Sequence, residues 1–155
     1  MGLPLFASAA LGVSCVVAEA GNQPLPGMIG VAEVIRNRME RHYQSDGTLP
    51  GTIFKPWQFS CYGDKNDWRP RIFKLEWDEP QVQAAWQAWM TVHTDDGSGV
   101  RSDVVKGAVL YHTIKAPVRK DGKPVPWPPS WATAPGVVEV ARIGDHVFYD
   151  DRGRE

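Results

Sequence analysis

Val16-Val17-Ala18-Glu19-Ala20-Gly21-Asn22 is the stretch around which the chain is organised. A run of small and apolar residues from Leu5 to Ala18 ends on a single carboxylate, and a glycine and a polar loop follow at once. A helix over this run places Glu19 in its last turn, where the helix dipole disfavours negative charge and apolar neighbours exclude water. Both effects raise a carboxyl pKa, which is the setting a general acid needs. The competing account is an exposed glutamate at a helix end that lacks a cation. Position alone does not choose between them.

The same run imitates an export signal, because Met1 to Val17 is apolar and rich in small residues. It has no basic n-region, and Pro4, Ser8 and Ser14 interrupt it, so it reads as the first, buried helix of the fold. It is too short to span a membrane safely, and no other segment is a candidate. Onward from Glu19, Gly21 to Gly27 reads as a loop with Pro24 and Pro26. A helix is expected from Met28 to about Tyr43, with Met28, Ala32, Ile35 and Met39 on its apolar stripe. Glu33, Arg36, Glu40 and Arg41 are expected on the other, solvated side. Leu49-Pro50-Gly51 reads as a turn, and Ile53 to Tyr62 as an extended aromatic segment.

Asp78 is the expected N-cap of a further helix, with Pro80 in its first turn, running to about His93. Val82, Ala85, Trp86, Trp89 and Met90 supply its buried face, and Asp95-Asp96-Gly97 ends it. Gly107-Ala108-Val109-Leu110-Tyr111-His112 is either a strand or a buried helical turn. Pro117 to Pro135 is a loop with six prolines, and loops of that length in a compact domain are more often functional than plain connectors. Val137–Ile143, the Gly144-Asp145 turn and His146–Tyr149 form a two-residue β-hairpin.

The 155 residues fit one domain, 1–155. With 17 basic and 18 acidic residues there is no basic field to attract nucleic acid. Seven Trp are unusual; flat aromatic faces line sugar or peptide grooves, or fill a core. Cys15 and Cys61 are far apart and form neither a metal signature nor a disulfide framework. His42, His93, His112 and His146 lack ligand spacing with one another, so no metal and no cofactor is expected.

Four segments, in order, carry a family resemblance. Val17-Ala18-Glu19-Ala20-Gly21 resembles a Y-x-E-A-R-G-E opening. Gly30-Val31-Ala32-Glu33-Val34-Ile35-Arg36-Asn37-Arg38 is similar to an A-V-A-x-V-x-x-N-R helix. Trp57-Gln58-Phe59-Ser60-Cys61 is similar to an x-Q-F-S-C element, and Arg142-Ile143-Gly144-Asp145-His146-Val147-Phe148-Tyr149 to a closing R-I-G-N-H-x-F-Y. These motifs are those of the SleB/CwlJ-type cell-wall hydrolases, the family of the spore-cortex-lytic enzymes, which also occurs among phage lysins. The chain departs from the pattern at Gly21, where the family has Arg, and within Asn22-Gln23-Pro24, where the second acidic residue is missing. Val109 replaces the Thr of G-A-T-x-Y-H.

The resemblance implies an α+β fold, a mostly helical core like that of lysozyme and the lytic transglycosylases with a small β-hairpin. It implies cleavage of the β-1,4 bond between muramic acid and glucosamine in peptidoglycan, with Glu19 as the essential acid. Gln58, Ser60, Tyr111, His112 and Trp131 are the candidate substrate contacts, each with a structural alternative, and Trp127 joins Trp131 as a candidate sugar platform. Asn37 and His146 are expected in supporting roles. A two-carboxylate hydrolase would need a partner for Glu19, for which Asp64, Asp67, Asp78 and Glu139 are candidates by sequence. A monomeric phage lysin acting on glycan strands is the expected form, held in the host cytoplasm until release to the wall; a secreted bacterial enzyme is the alternative. A glycan-binding module and a metal-dependent amidase or peptidase are the rivals from other classes.

Overall fold

The computed structural model describes residues 5–56, 58, 59 and 74–153. Its elements are α1 (Leu5–Ala20), α2 (Leu25–Arg41), α3 (Leu49–Ile53), α4 (Pro80–His93), β1 (Leu110–Thr113), a single 3-10 turn (Ser130–Thr133), β2 (Val137–Ile143) and β3 (His146–Asp151). Helices α1, α2 and α4 pack on one another, and a three-stranded antiparallel sheet in the order β1-β3-β2 closes the other side. The fold is α+β, as the sequence leads one to expect. The hairpin extends to three strands because Leu110–Thr113 pairs along β3, Tyr111 opposite Phe148 and Thr113 opposite His146. Between β2 and β3 the register shifts at Glu139 and Ala141, a bulge that bends the edge strand.

Helix α1 is mostly buried because its sequence is mostly apolar: Leu11, Val13, Cys15 and Val16 are sealed against α2 and α4. Gly12 sets how closely α4 approaches. A Cβ there would lie 2.3 Å from the Trp89 ring, so the glycine is the notch that receives the indole. None of the described helices is long and apolar enough to cross a membrane.

Helix α2 departs from the amphipathic expectation. Gly30 to Arg38 are all buried, and Glu33 and Arg36, expected in water, are at 0% and 7% exposure. The physical reason is the segment 102–109, which lies across this side of the helix with backbone groups that need partners. Glu33 accepts hydrogen bonds from the Ser102 hydroxyl and from the amides of Val104 and Val105, each amide at 3.0 Å. Arg36 donates to the Ser102 carbonyl at 2.7 Å, Asn37 to that of Ala108 at 2.9 Å and Arg38 to that of Val109 at 2.6 Å. Arg38 also lies over the Phe59 ring, 4.9 Å from its centre. Helix α2 begins at Leu25, earlier than expected, after Pro24, since a proline at the start of a helix forfeits only an amide with no partner there.

Two smaller corrections have local causes. Leu49-Pro50-Gly51, expected as a turn, starts α3, because the Thr48 hydroxyl accepts the Gly51 amide at 3.1 Å and Pro50 is tolerated in a first turn. Glu79, not Asp78, is the N-cap of α4. The segment from Ile53 to Tyr62, expected as extended, is not so where it is described. Ile53 is the last residue of α3, and the chain then turns, the Gln58 amide donating to the Lys55 carbonyl at 3.2 Å. Residues 57 and 60–62 lie outside the described residues.

His93, at the end of α4, stacks on Trp89 with ring centres 3.6 Å apart, and its Nε2 donates to the Ala32 carbonyl at 3.1 Å. Burial pushes its pKa from 6.5 to about 4. The unfolded chain therefore takes up a proton below pH 6.5 that the folded chain refuses until about pH 4. Stability is full above the unfolded value and falls as pH drops through this window. The loss expected from this group is about 3 kcal/mol. Melting curves from pH 7 to 4 should show that decline, and His93→Gln should flatten it; an unchanged slope would remove His93 as its source.

Candidate active site

Glu19 occupies the last turn of α1, half-buried, and β1 brings a partner to it. The Tyr111 hydroxyl donates to Glu19 Oε2 at 2.8 Å. Tyr111 reaches that position because the backbone just before it is anchored to α2: the carbonyls of Ala108 and Val109 are held by Asn37 and Arg38. Burial raises the Tyr111 phenol well above its ordinary value, and the negative charge of Glu19 adds to the effect. The phenol thus keeps its proton and remains a donor. It packs edge-on to His146, ring centres 5.2 Å apart, and lies tilted on Phe148 at 5.8 Å.

A groove of about 670 Å³ opens over Glu19, walled by Val17, Asn22, Thr113, Lys115, Asp145 and His146 among others. Its rim is fixed by Gln23, which joins the α1–α2 loop to the hairpin turn. Gln23 Oε1 accepts the Asp145 amide at 2.8 Å, while its Nε2 donates to Asp145 Oδ2 at 3.2 Å. Gly144 allows this contact: its φ is +56°, and a Cβ there would lie 2.4 Å from Gln23 Oε1. The Pro-rich loop is tied to the same groove, since Trp127 Nε1 donates to the Thr113 carbonyl at 2.9 Å.

The expected site residues separate into two faces of the sheet. Tyr111, Thr113 and His146 share the face toward Glu19. His112 lies on the opposite face, buried, its Nδ1 donating to the Thr113 carbonyl at 2.7 Å and its Nε2 accepting the Tyr149 hydroxyl at 2.9 Å. Trp131 packs there too, edge-on to Tyr149 and tilted against His112. With Gln58 it lines a separate hollow of about 310 Å³. Neither Gln58, His112 nor Trp131 lines the Glu19 groove. Ser60, Cys61 and Trp57, with Asp64 and Asp67, lie outside the described residues. Asp78 and Glu139 do not line the groove; Glu139 is exposed and paired with Arg142.

Sequence reasoning missed Asp145 as a carboxylate of the groove, Gln23 as its clasp, and Glu33 and Arg38 as supports. Glu33 and Arg38 had a legible signal, charged residues inside a motif that is otherwise apolar and helical. Asp145 and Gln23 had none, because a turn and a loop meet only in the folded chain. Among the described residues, no group of three His, Cys, Asp or Glu is placed to hold a metal ion.

The chain belongs to the cell wall hydrolase family, whose model matches residues 22–149. The match begins just past Glu19, so the case for that residue rests on the geometry above. Two solved structures share the fold. One is the catalytic domain of the germination-specific lytic transglycosylase SleB from Bacillus anthracis, at 21% identity and TM-score 0.59, covering 96% of this chain and 98% of that one. The other is the catalytic domain of Bacillus cereus SleB, at 22% identity and TM-score 0.58, covering 96% and 95%. No curated protein matches the chain.

Tyr111→Phe removes one hydrogen bond to a carboxylate and leaves the ring packing in place. Its melting temperature should stay near that of the parent, and clearing of a peptidoglycan suspension should slow by about tenfold or more. Undiminished clearing by the folded variant would show that Glu19 does not need the phenol.

Proposed function

We propose that the chain cleaves the β-1,4 bond between N-acetylmuramic acid and N-acetylglucosamine in peptidoglycan, as a lytic transglycosylase with Glu19 as its acid and then its base. The observation that carries the proposal is the hydrogen bond from Tyr111 to Glu19, whose side chain lines the groove. It fixes one oxygen of the carboxyl group and so holds the acid in place against the groove.

The chemistry balances on one carboxyl group. Protonated Glu19 gives its proton to the glycosidic oxygen as the C1–O bond breaks, and the leaving sugar departs with a hydroxyl. The substrate's own acetamido oxygen steadies the cationic centre. Ionised Glu19 then takes the proton of the C6 hydroxyl while that oxygen bonds to C1, closing a 1,6-anhydro ring and restoring the acid. No water is consumed. That one structural neighbour is a lytic transglycosylase supports this reading.

A second reading keeps the bond and changes the acceptor. Asp145 lines the same groove as Glu19, so a water molecule oriented by Asp145 would give hydrolysis, the two-carboxylate route. The first reading is preferred because Asp145 is already engaged by Gln23 through both its amide and its carboxylate.

Glu19→Gln preserves shape and an acceptor for Tyr111 but can neither give nor take the proton. The variant should fold, bind cell walls and lose lysis by a factor on the order of 10² to 10⁴ or more. Lysis at the parent rate by the folded variant would exclude Glu19 from the reaction.

A further inference from the structure

Among the groove-lining side chains that the proton transfers above do not use, His146 stands out for its burial. His146 is the first residue of β3, 3% exposed, and its ring lines the groove beside Glu19 and Asp145. Its Nδ1 is sealed from solvent and has no hydrogen-bond partner among the described residues. The ring nitrogen that meets the groove is therefore Nε2. A proton on Nδ1 would be a buried donor without an acceptor, whereas a proton on Nε2 can be met by whatever fills the groove. The imidazole is thus set with its single N–H outward. Tyr111, at 5.2 Å, and Phe148, at 6.1 Å, pack together against the ring and hold it in this place.

We propose that His146 is a further substrate-contacting residue, its Nε2–H donating to an uncharged oxygen, hydroxyl or acetamido, of the amino sugar held beside Glu19. The inference rests on the reading of the groove as a glycan site. Gln23, the other buried polar side chain of the groove, is already committed to Asn22 and Asp145. A fixed, deep donor without a protein partner is what recognition of a neutral sugar requires.

The charge state of the ring suits the work of its neighbour. Burial lowers the His146 pKa, opposed by the charges of Glu19 and Asp145 and reinforced by His112. Tyr111 packs on it as a neutral phenol, and Lys115 lies farther along the groove wall. The net shift is downward from 6.5, so the ring is mostly uncharged at that pH and above. A cation here would favour the ionised form of Glu19 and oppose its use as an acid.

The test uses Glu19→Gln protein, which should hold glycan without turning it over, and reads the His146 ring nitrogens by ¹⁵N NMR. A mostly neutral ring with its proton on Nε2 at pH 6.5, whose resonances shift when an N-acetylglucosamine oligomer shifts Thr113 and Lys115, is the expected result. A proton on Nδ1, a mostly charged ring at pH 6.5, or an unmoved His146 while Thr113 and Lys115 respond would overturn the proposal. In the parent background, His146→Phe should keep the melting temperature and lower kcat/KM by about tenfold, and His146→Gln, which retains a donor, should recover most of it. Equal activity of the folded Phe variant would also overturn it; should that variant fail to fold, the NMR result decides. Lysis retained by Glu19→Gln would instead count against the acid–base reading, a separate outcome.

Discussion

The buried polar row of α2 is the constraint on which the rest depends. Glu33, Arg36, Asn37 and Arg38 are nearly or fully sealed from water, and each is tied to the backbone or hydroxyl of the segment 102–109. Buried polar groups are costly unless paired, so the helix and this segment accept each other in essentially one register. That register decides where β1 begins. The start of β1 places Tyr111, and Tyr111 orients Glu19.

The groove over Glu19 is thus assembled from parts distant in sequence by two independent fastenings. Helix α1 reaches the site through apolar packing, with Trp89 seated on Gly12. Strand β1 reaches it through polar bonds to α2. Gln23 then closes the rim by gripping the Asp145 turn. Division of labour of this kind suits general acid chemistry, since the carboxyl group is positioned by a rigid helix and a rigid strand. Loop residues such as Asn22, Lys115 and Asp145 add to the walls of the groove, and loops are where variation is tolerated.

Much of this was legible in the chain. The apolar run ending on Glu19 foretold a buried helix delivering a carboxylate, and the Gly144-Asp145 turn foretold the hairpin. Tyr111 was singled out only through the family motif, and the structure shows its hydroxyl on Glu19. Periodicity misplaced Glu33 and Arg36, because an amphipathic pattern cannot tell water from a loop backbone when both welcome polar side chains. His112 stands beside Tyr111 in the G-A-T-x-Y-H motif, yet alternation along a strand sends His112 to the far face of the sheet, where Trp131, the candidate sugar platform, packs on it. The Asp145–Gln23 contact spans 122 positions and left no trace in local pattern.

The central claim is that one carboxyl group, fixed by Tyr111, both breaks the glycosidic bond and closes the product ring. Mass spectrometry of the soluble fragments released from purified peptidoglycan tests it most directly. The account predicts 1,6-anhydromuramic ends, lighter by one water than reducing ends. Reducing muramic ends would contradict it and turn attention to a water held by Asp145.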